Sequence, residues 1–201
     1  MTAAQVVRML WLDSADDEVR ASAYRLVSGV MEQGGAVGWL GVPTRAECDE
    51  WLDGVLASAA AGRTRAAVIR DDGGAGPIQA MGRWTRYDKP TVALNAEILQ
   101  LMVHPGARGR GLARVVLRAL VADARAHGVE TLTLDVRGNN HAAMALYEGH
   151  GFTVYGRLPD FVAVGDERWD RVLYRLDLRS GRTPVRRHGA RPVGPGSSHL
   201  R

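Results

Sequence analysis

Cysteine is almost absent from this chain of 201 residues, because Cys48 is the only one. A single cysteine excludes an intrachain disulfide and any metal cluster built on cysteine thiolates. The histidines at positions 104, 127, 141 and 150 show no spacing typical of a metal site either. The sequence therefore predicts no metal ion, and we expect Cys48 to pack on a helix as a small apolar side chain.

Long apolar runs are also missing. None approaches the ~20 residues that a membrane-spanning helix requires, and the apolar stretch over residues 9–12 ends at Asp13, too early for a secretory signal. With 46% apolar and 24% charged residues, the composition is that of a globular protein. We therefore expect a cytoplasmic protein without a membrane partner.

Lysine is as scarce as cysteine, since Lys89 is the only one and arginine supplies the other Lys and Arg positions. The formal net charge is +4, and residues 180–201 carry several arginines and no acid. This segment is rich in Gly, Pro and Ser and has little to bury, so we expect a single domain over 1–179 and a disordered tail over 180–201. Without the tail the charge is near neutral, which disfavours a nucleic-acid partner.

Apolar periodicity predicts an α/β fold. Period-two patterns and apolar runs predict strands over residues 5–12, 65–70, 78–87, 93–103, 131–136, 152–156 and 168–177. Helical spacing and capping residues predict helices over about 14–33, 44–61, 112–127 and 141–148. Because strands and helices alternate after an antiparallel start, the sheet is expected to be mixed.

The most informative stretch runs from Glu97 to Ala113, where an apolar strand ends in a turn rich in glycine and arginine that opens a helix. Unpaired N–H groups at the helix start and the helix dipole together favour an anion such as a diphosphate. Gly109 and Gly111 allow close approach because they have no Cβ. The stretch lacks both the Gly-Lys-Ser/Thr ending of a Walker loop and the glycine spacing of a dinucleotide fingerprint. It therefore predicts a diphosphate loop of another kind.

Two ordered motifs carry a resemblance to the GNAT family of N-acetyltransferases. The pattern Arg108-x-x-Gly111-x-Ala113 resembles its pyrophosphate loop, and the segment from Asn140 to Phe152 resembles its second signature. The resemblance covers about residues 5–178. It implies a mixed, mostly antiparallel sheet of six to seven strands, with splayed central parallel strands and about four flanking helices.

Within that family the chain is most similar to the tabtoxin-resistance acetyltransferases, which acetylate the amine of a β-lactam amino-acid toxin. The likeness covers residues 34–38, 96–103, 107–112 and 158–159. It implies an enzyme that acetylates a small primary amine, such as an amino acid, a β-lactam toxin or an amino-bearing antibiotic, and hence a role in antibiotic resistance. A protein or peptide N-terminal acetyltransferase and a non-catalytic acyl-CoA-binding module remain alternatives. Homodimers are common in the family, but no residue pattern marks an interface.

Acetyl-CoA is the co-substrate that the resemblance implies. The loop would hold the diphosphate, the strand before it would pair with the pantetheine arm, and a backbone N–H near Met102 or Val103 would stabilise the oxyanion. Asn140 matches a residue that binds the arm, and it also suits a helix N-cap. For Arg110 alone, a solvated side chain is the simpler interpretation. The implied cofactor residues are Leu101, Met102, Val103, Arg108, Gly109, Arg110, Gly111, Leu112, Ala113 and Asn140.

Three side chains are candidates for the chemistry. Tyr147 matches the family's general acid, although a helical tyrosine can also serve only in packing. Glu97 is the favoured general base, because a carboxylate on an apolar central strand is desolvated and its pKa is raised toward neutrality. Asp135 is the rival base, since it lies toward the end of the neighbouring strand, where the amine must approach; a surface role is an equal alternative.

Aromatic residues suggest an acceptor pocket. Trp39 and Phe161 fall in predicted loops and are the better candidates for substrate contact, together with Trp84. Trp51 lies at an apolar position of a predicted helix and is expected to be part of the core.

Overall fold

The computed structural model describes residues 8–35 and 37–179. Strands β1 (Arg8–Trp11), β2 (Thr64–Arg70), β3 (Ile78–Arg86), β4 (Asn95–Val103), β5 (Thr131–Arg137), β6 (Thr153–Val164) and β7 (Glu167–Asp177) form one sheet in the order β1-β2-β3-β4-β5-β7-β6. Helices α1 (Asp17–Glu32), α2 (Arg45–Ala60), α3 (Leu112–Ala126) and α4 (His141–Glu148) flank it. Only β4 and β5 pair in parallel, so the predicted mixed, mostly antiparallel fold is confirmed.

Local signals position the helices. The Asp16 carboxylate accepts a hydrogen bond from the Val19 N–H at 2.8 Å and caps α1. Thr44 and Glu47 form a reciprocal capping box at the start of α2, which satisfies backbone donors that the helix leaves free. Each helix therefore begins within a few residues of the position that the sequence predicts.

The sheet separates two hydrophobic cores. One lies under α1 and α2 on what we call the α1/α2 face, and it contains the buried Cys48 in its expected place on α2. Its largest buried members include Leu26, Leu52, Met81 and Met102. The second core lies under α3 and α4 on the α3/α4 face, and it includes Trp84, Ile98, Leu117, Leu132 and Tyr174.

A β-bulge in β4 changes which residues face each core. Gln100 has a φ of +53°, and the pairing with β3 breaks so that Leu99 lies opposite Arg83 while Met102 lies opposite Met81. An extra residue in one strand shifts the alternation by one position. Ile98 consequently packs on the α3/α4 face, whereas Met102 packs on the other face.

The two central strands separate after a short parallel ladder. Residues 95–97 of β4 pair with residues 131–133 of β5, and beyond Thr133 the ladder that β5 forms is with β7. The β5-facing backbone edge of β4 beyond Glu97 has no ladder partner among the described residues. The splayed parallel strands implied by the family resemblance are therefore present.

Strand β6 is longer than the sequence predicts. Phe161 does not lie in a loop, because β6 continues to Val164 instead of ending near Gly156. The predicted strand residues 5–7 and the predicted tail lie outside the described residues, so the domain boundary at 179 stays a prediction.

Among the described helices, none has both the length and the apolar character required to cross a bilayer.

Candidate active site

The turn between β4 and α3 presents an open backbone cradle. Gly109 and Gly111 adopt φ angles of +77° and +75°, and a Cβ at either position would meet nothing within 4 Å. Gly111 precedes the first turn of α3 and offers no side-chain cap. The backbone N–H groups of residues 109–113 donate to no described residue. Successive free donors at a helix start form a site suited to a phosphate anion.

The two arginines of this turn differ. Arg108 is exposed and forms no ion pair with the described residues. Arg110 is not simply solvated, because its Nη2 donates to Asp71 Oδ1 at 3.2 Å and the Asp71 side chain is only 5% exposed. Arg110 therefore ties the turn to the connection between β2 and β3, and its charge is already partly neutralised. The Leu112 side chain is buried in the α3/α4 core, so only its backbone faces the cradle.

The splayed edge of β4 continues this cradle toward the centre of the sheet. The side chains of Leu101 and Val103 contact the α3/α4 core, and Met102 is buried on the opposite face. These residues therefore offer backbone rather than side-chain groups to a ligand in the gap. Asn140 caps α4, because its side-chain oxygen accepts a hydrogen bond from the Ala143 N–H at 3.2 Å. The side-chain N–H groups of Asn140 bond to no described residue.

Tyr147 lies in the core on the α3/α4 face. Its side chain is 7% exposed and packs against the rings of Phe152 and Tyr174 at centroid distances of 5.9 and 6.0 Å. Its hydroxyl bonds to no described residue. Burial, with a further contribution from Asp135, raises the pKa of Tyr147 to about 12. The phenol therefore remains protonated at every physiological pH.

Glu97 lies on the opposite, α1/α2 face. It pairs across the sheet with Thr85 of β3 and Thr133 of β5, and Asp135 follows two residues later on the same face of β5. Burial raises the pKa of Glu97, the charge of Asp135 raises it further, and Arg171 and Arg83 oppose this effect. A half-buried carboxylate with a raised pKa has the character of a general base.

Asp135 has a partner that Glu97 lacks. Arg171 Nη2 donates to Asp135 Oδ1 at 2.6 Å, and the guanidinium also lies 5.6 Å from the centre of the Phe161 ring. The structure therefore brings both predicted carboxylates to one face of the sheet but gives them different surroundings: Asp135 is ion-paired, whereas Glu97 has a raised pKa.

Aromatic side chains border the same face. Trp39, in the connection between α1 and α2, packs edge-on against Trp51 at 5.4 Å, and the Trp51 indole donates to Gln100 Oε1 at 3.2 Å. Phe161 is 57% exposed beside Arg171. The Tyr87 hydroxyl lies 2.6 Å from Thr133 Oγ1. Trp39 and Phe161 thus border the surface that holds Glu97 and Asp135.

Trp84 is a correction to the sequence-based prediction. Its indole is fully buried on the α3/α4 face, where it donates to Asp123 Oδ2 at 2.9 Å. Strand parity places it on the side of the sheet opposite to Glu97. It is a core residue and does not line an acceptor pocket.

Tyr87 was among the aromatic residues that the sequence suggested for a pocket, whereas Arg83, Gln100 and Arg171 on this face were not predicted. Each of these three depends on a cross-strand or inter-element contact, so no local pattern marks it. Within the described ranges, no cluster of three or more His, Cys, Asp or Glu side chains is arranged to hold a metal ion.

Family comparison agrees with this geometry. The sequence profile of the acetyltransferase (GNAT) family matches residues 9–152. The chain belongs to the GNAT family of acetyltransferases, as its two motifs predicted.

Relatives in the family are named for different acceptors. The mycothiol acetyltransferase of Beutenbergia cavernae is 40% identical over 43% of this chain, and the ribosomal protein bS18-alanine N-acetyltransferase of Escherichia coli is 34% identical over 41%. These matches span 27% and 56% of the relatives' own lengths. The L-methionine sulfoximine/L-methionine sulfone acetyltransferase of Salmonella typhimurium is 28% identical over 58% of this chain and 67% of its own.

Solved structures share the fold. The phosphinothricin acetyltransferase of Sinorhizobium meliloti, in complex with acetyl-CoA, superposes with a TM-score of 0.69 at 18% identity. The match covers 94% of this chain and 96% of that one.

Proposed function

We propose that the protein transfers the acetyl group of acetyl-CoA to the primary amine of a small molecule by direct attack on the thioester. The observation that carries this proposal is that Glu97 lies on the α1/α2 face of the sheet while Tyr147, whose pKa responds to the charge of Asp135, lies in the core on the other face. A base and a proton donor on the two sides of one opening suit an amine that enters from one face and a thiol that leaves on the other.

The residues present fit acetyl-CoA. The free N–H groups of residues 109–113 suit its diphosphate, and the unpaired edge of β4 suits an extended arm that adds to the sheet like a strand. When bound, acetyl-CoA supplies an acetyl group activated as a thioester. Asn140 retains amide donors for the arm, and Arg108 adds positive charge beside the cradle.

Glu97 has the role of general base in this scheme. It accepts a proton from the acceptor ammonium, directly or through one water, so that a neutral amine reaches the thioester carbonyl. Asp135, held by Arg171, raises the pKa of Glu97 and attracts the ammonium. A backbone N–H at Met102 or Val103 would stabilise the carbonyl oxygen as it gains negative charge.

Tyr147 is the proton donor to the departing sulfur. A phenol whose pKa is about 12 is a weaker acid than a thiol of pKa ~8.5. Full transfer from Tyr147 is therefore uphill at equilibrium. Its contribution is a hydrogen bond that stabilises the developing thiolate, which leaves as the thiolate or takes its proton from solvent.

A thiol-release assay with acetyl-CoA tests the proposal. The panel comprises free amino acids, β-lactam amino acids, amino-bearing antibiotics, polyamines and peptides with free N-termini, and acetyl-CoA binding is measured separately by calorimetry. We expect turnover of small amines and none of peptides. Preferred acetylation of peptides would replace the proposal with N-terminal protein acetylation, and tight binding of acetyl-CoA without any turnover would indicate a non-catalytic module.

A further inference from the structure

Arg83 is a half-buried arginine without a counter-ion on the face that holds Glu97. Its Nε donates to Gln100 Oε1 at 2.8 Å and its Nη1 to Thr85 Oγ1 at 2.5 Å. It forms no ion pair with any described carboxylate. Burial lowers the pKa of Arg83, and the field of Glu97 only partly opposes that effect. Burying a charge without a partner is costly, so such a group calls for an anion that binds to it.

The two hydrogen bonds fix the guanidinium through Nε and Nη1 and leave the Nη2 donors without a described partner. A guanidinium has five N–H donors, and the donors of Nη2 bond to no described residue. Gln100 is itself held, because its Oε1 also accepts from Trp51. Its side chain further reaches the Val37 carbonyl oxygen at 3.5 Å. Arg83 is therefore positioned by neutral groups that orient it without consuming its charge.

Arg83 and Glu97 present opposite charges at neighbouring positions. Thr85 lies directly opposite Glu97, and Arg83 is two residues before Thr85 on the same face of β3. Such diagonal neighbours have Cα atoms ~7–8 Å apart, within reach of two long side chains. Arg171 and Arg83 are the two arginines whose charges lower the pKa of Glu97, and Arg171 already holds Asp135. Arg83 is therefore the arginine acting on the predicted base that has no ion pair with a described carboxylate.

An α-amino acid carries the complementary pair of charges on one carbon atom. Its ammonium would lie toward Glu97 while its carboxylate bonds end-on to Arg83, an arrangement in which planar guanidinium and carboxylate groups match. When Glu97 takes the proton, the carboxylate still holds the amine in place. A neutral amine would instead leave Arg83 unpaired.

We propose that Arg83 is the specificity-determining residue of the acceptor site and selects small amines that carry a carboxylate next to the amine. This proposal rests on the proposed acetyl transfer and adds the chemical class of the acceptor. It makes Arg83 a substrate-binding residue, with Gln100 and Thr85 as positioning residues.

The test compares matched acceptors in the thiol-release assay. L-Methionine and L-phenylalanine are each assayed against the corresponding amide and the decarboxylated amine, with wild type, Arg83→Gln and Arg83→Lys. We expect kcat/KM to favour the free acid by about 10- to 100-fold in wild type, because a charged hydrogen-bonded pair contributes this much. The amide has the less basic amine and is more often neutral, so amine basicity alone would give the opposite preference.

The variants separate recognition from structure. Arg83→Gln is expected to abolish the preference mainly through the KM of the amino acid, while Arg83→Lys retains part of it. Arg86→Gln is the matched control, because it removes a β3 arginine whose guanidinium bonds to Ala93 and His127 beside Trp84, on the other face. If Arg83 served only to balance Glu97, Arg83→Gln would shift the acid limb of the pH profile equally for acid and amide, with the preference unchanged.

The remaining outcomes are also decisive. Equal turnover of acid and amide by wild type would overturn the acceptor class and leave acetyl transfer to amines standing. Absence of turnover for every amine, with acetyl-CoA bound in calorimetry, would overturn both proposals. Failure of Arg83→Gln to fold, seen as a lost thermal transition, shifts the decision to Arg83→Lys, which must then reduce the preference.

Discussion

Glu97 and Asp135 differ because of one guanidinium. Arg171 holds Asp135 at 2.6 Å, whereas Glu97 is desolvated and feels the negative charge of Asp135. In the proposed reaction the two carboxylates therefore have different roles, Glu97 as the proton acceptor and Asp135 as the group that raises its pKa.

The pH profile follows from this difference. If ionised Glu97 is the base, the rate falls as the pH drops through its raised pKa, so the acid limb lies above the range of an ordinary carboxylate. Glu97→Gln should remove that limb, and Asp135→Asn should move it to lower pH because a charge that raises the Glu97 pKa is lost. The measurement is kcat/KM against pH, with the exposed Glu50→Gln as control. An unchanged limb in Glu97→Gln would move the base to Asp135 or to water.

Tyr147 allows a comparison at constant packing. Tyr147→Phe keeps the ring contacts with Phe152 and Tyr174 and removes only the hydroxyl. We expect kcat to fall about 10²-fold, the lower range for a lost proton donor, with the Kd for acetyl-CoA nearly unchanged. Tyr174→Phe is the control, since it removes a buried hydroxyl that bonds to Glu148 at 2.8 Å. Parallel losses of kcat and of acetyl-CoA affinity in Tyr147→Phe would instead make it a packing residue.

At the scale of elements, the turn before α3 depends on glycine for two separable reasons. Gly111 has a left-handed φ of +75°, and Gly128, after the end of the same helix, has a nearly equal φ of +73°. A Cβ meets nothing within 4 Å at either position, so alanine is strained by its backbone alone.

This equivalence gives a matched pair of variants. Gly111→Ala and Gly128→Ala should each lower the free energy of unfolding by about 1 kcal/mol, measured by urea denaturation. Only Gly111→Ala should raise the KM for acetyl-CoA, because its methyl group stands in the proposed phosphate cradle. Equal effects of both variants on KM would mean that the cradle is not where the diphosphate binds.

Local sequence determined some elements and not others. The capping box of α2 satisfies the backbone donors at the start of that helix, so Thr44 and Glu47 alone predict where α2 begins. β6 has exposed residues on both faces and hence no alternation to read, and its length comes from pairing with β7 around a bulge at Asp160, where φ is +53°. Its extent, and with it the place of Phe161, required the partner strand.

The candidate site follows the same division. The proposed diphosphate turn and Glu97 can be predicted from the sequence because both lie in one continuous stretch of chain. Arg171 is 36 residues from Asp135, and only the pairing of β5 with β7 joins them. Trp84 was misassigned because its chemistry suited a pocket, whereas strand register decides which face a side chain occupies.

At the scale of the whole molecule, the sheet separates the phosphate cradle and Tyr147 from the α1/α2 face, where the acceptor is proposed to bind. Changes on the two sides should therefore act independently. In the double variant Gly111→Ala, Arg83→Gln, the loss of kcat/KM for an amino acid should equal the product of the single losses to within about 2-fold. A larger deviation, measured in the same assay with both single variants as references, would show coupling between the two sides.

The gap between β4 and β5 also has a consequence for how the acceptor specificity of the protein can evolve. In the proposed reaction donor and acceptor meet at this one opening, while Tyr147 belongs to the α3/α4 core and Trp39 packs against the α1/α2 core. Substitutions under α1 and α2 should then change the acceptor without altering the contacts of the donor. Such a sheet would allow acceptor specificity to evolve on one side of the protein at a time.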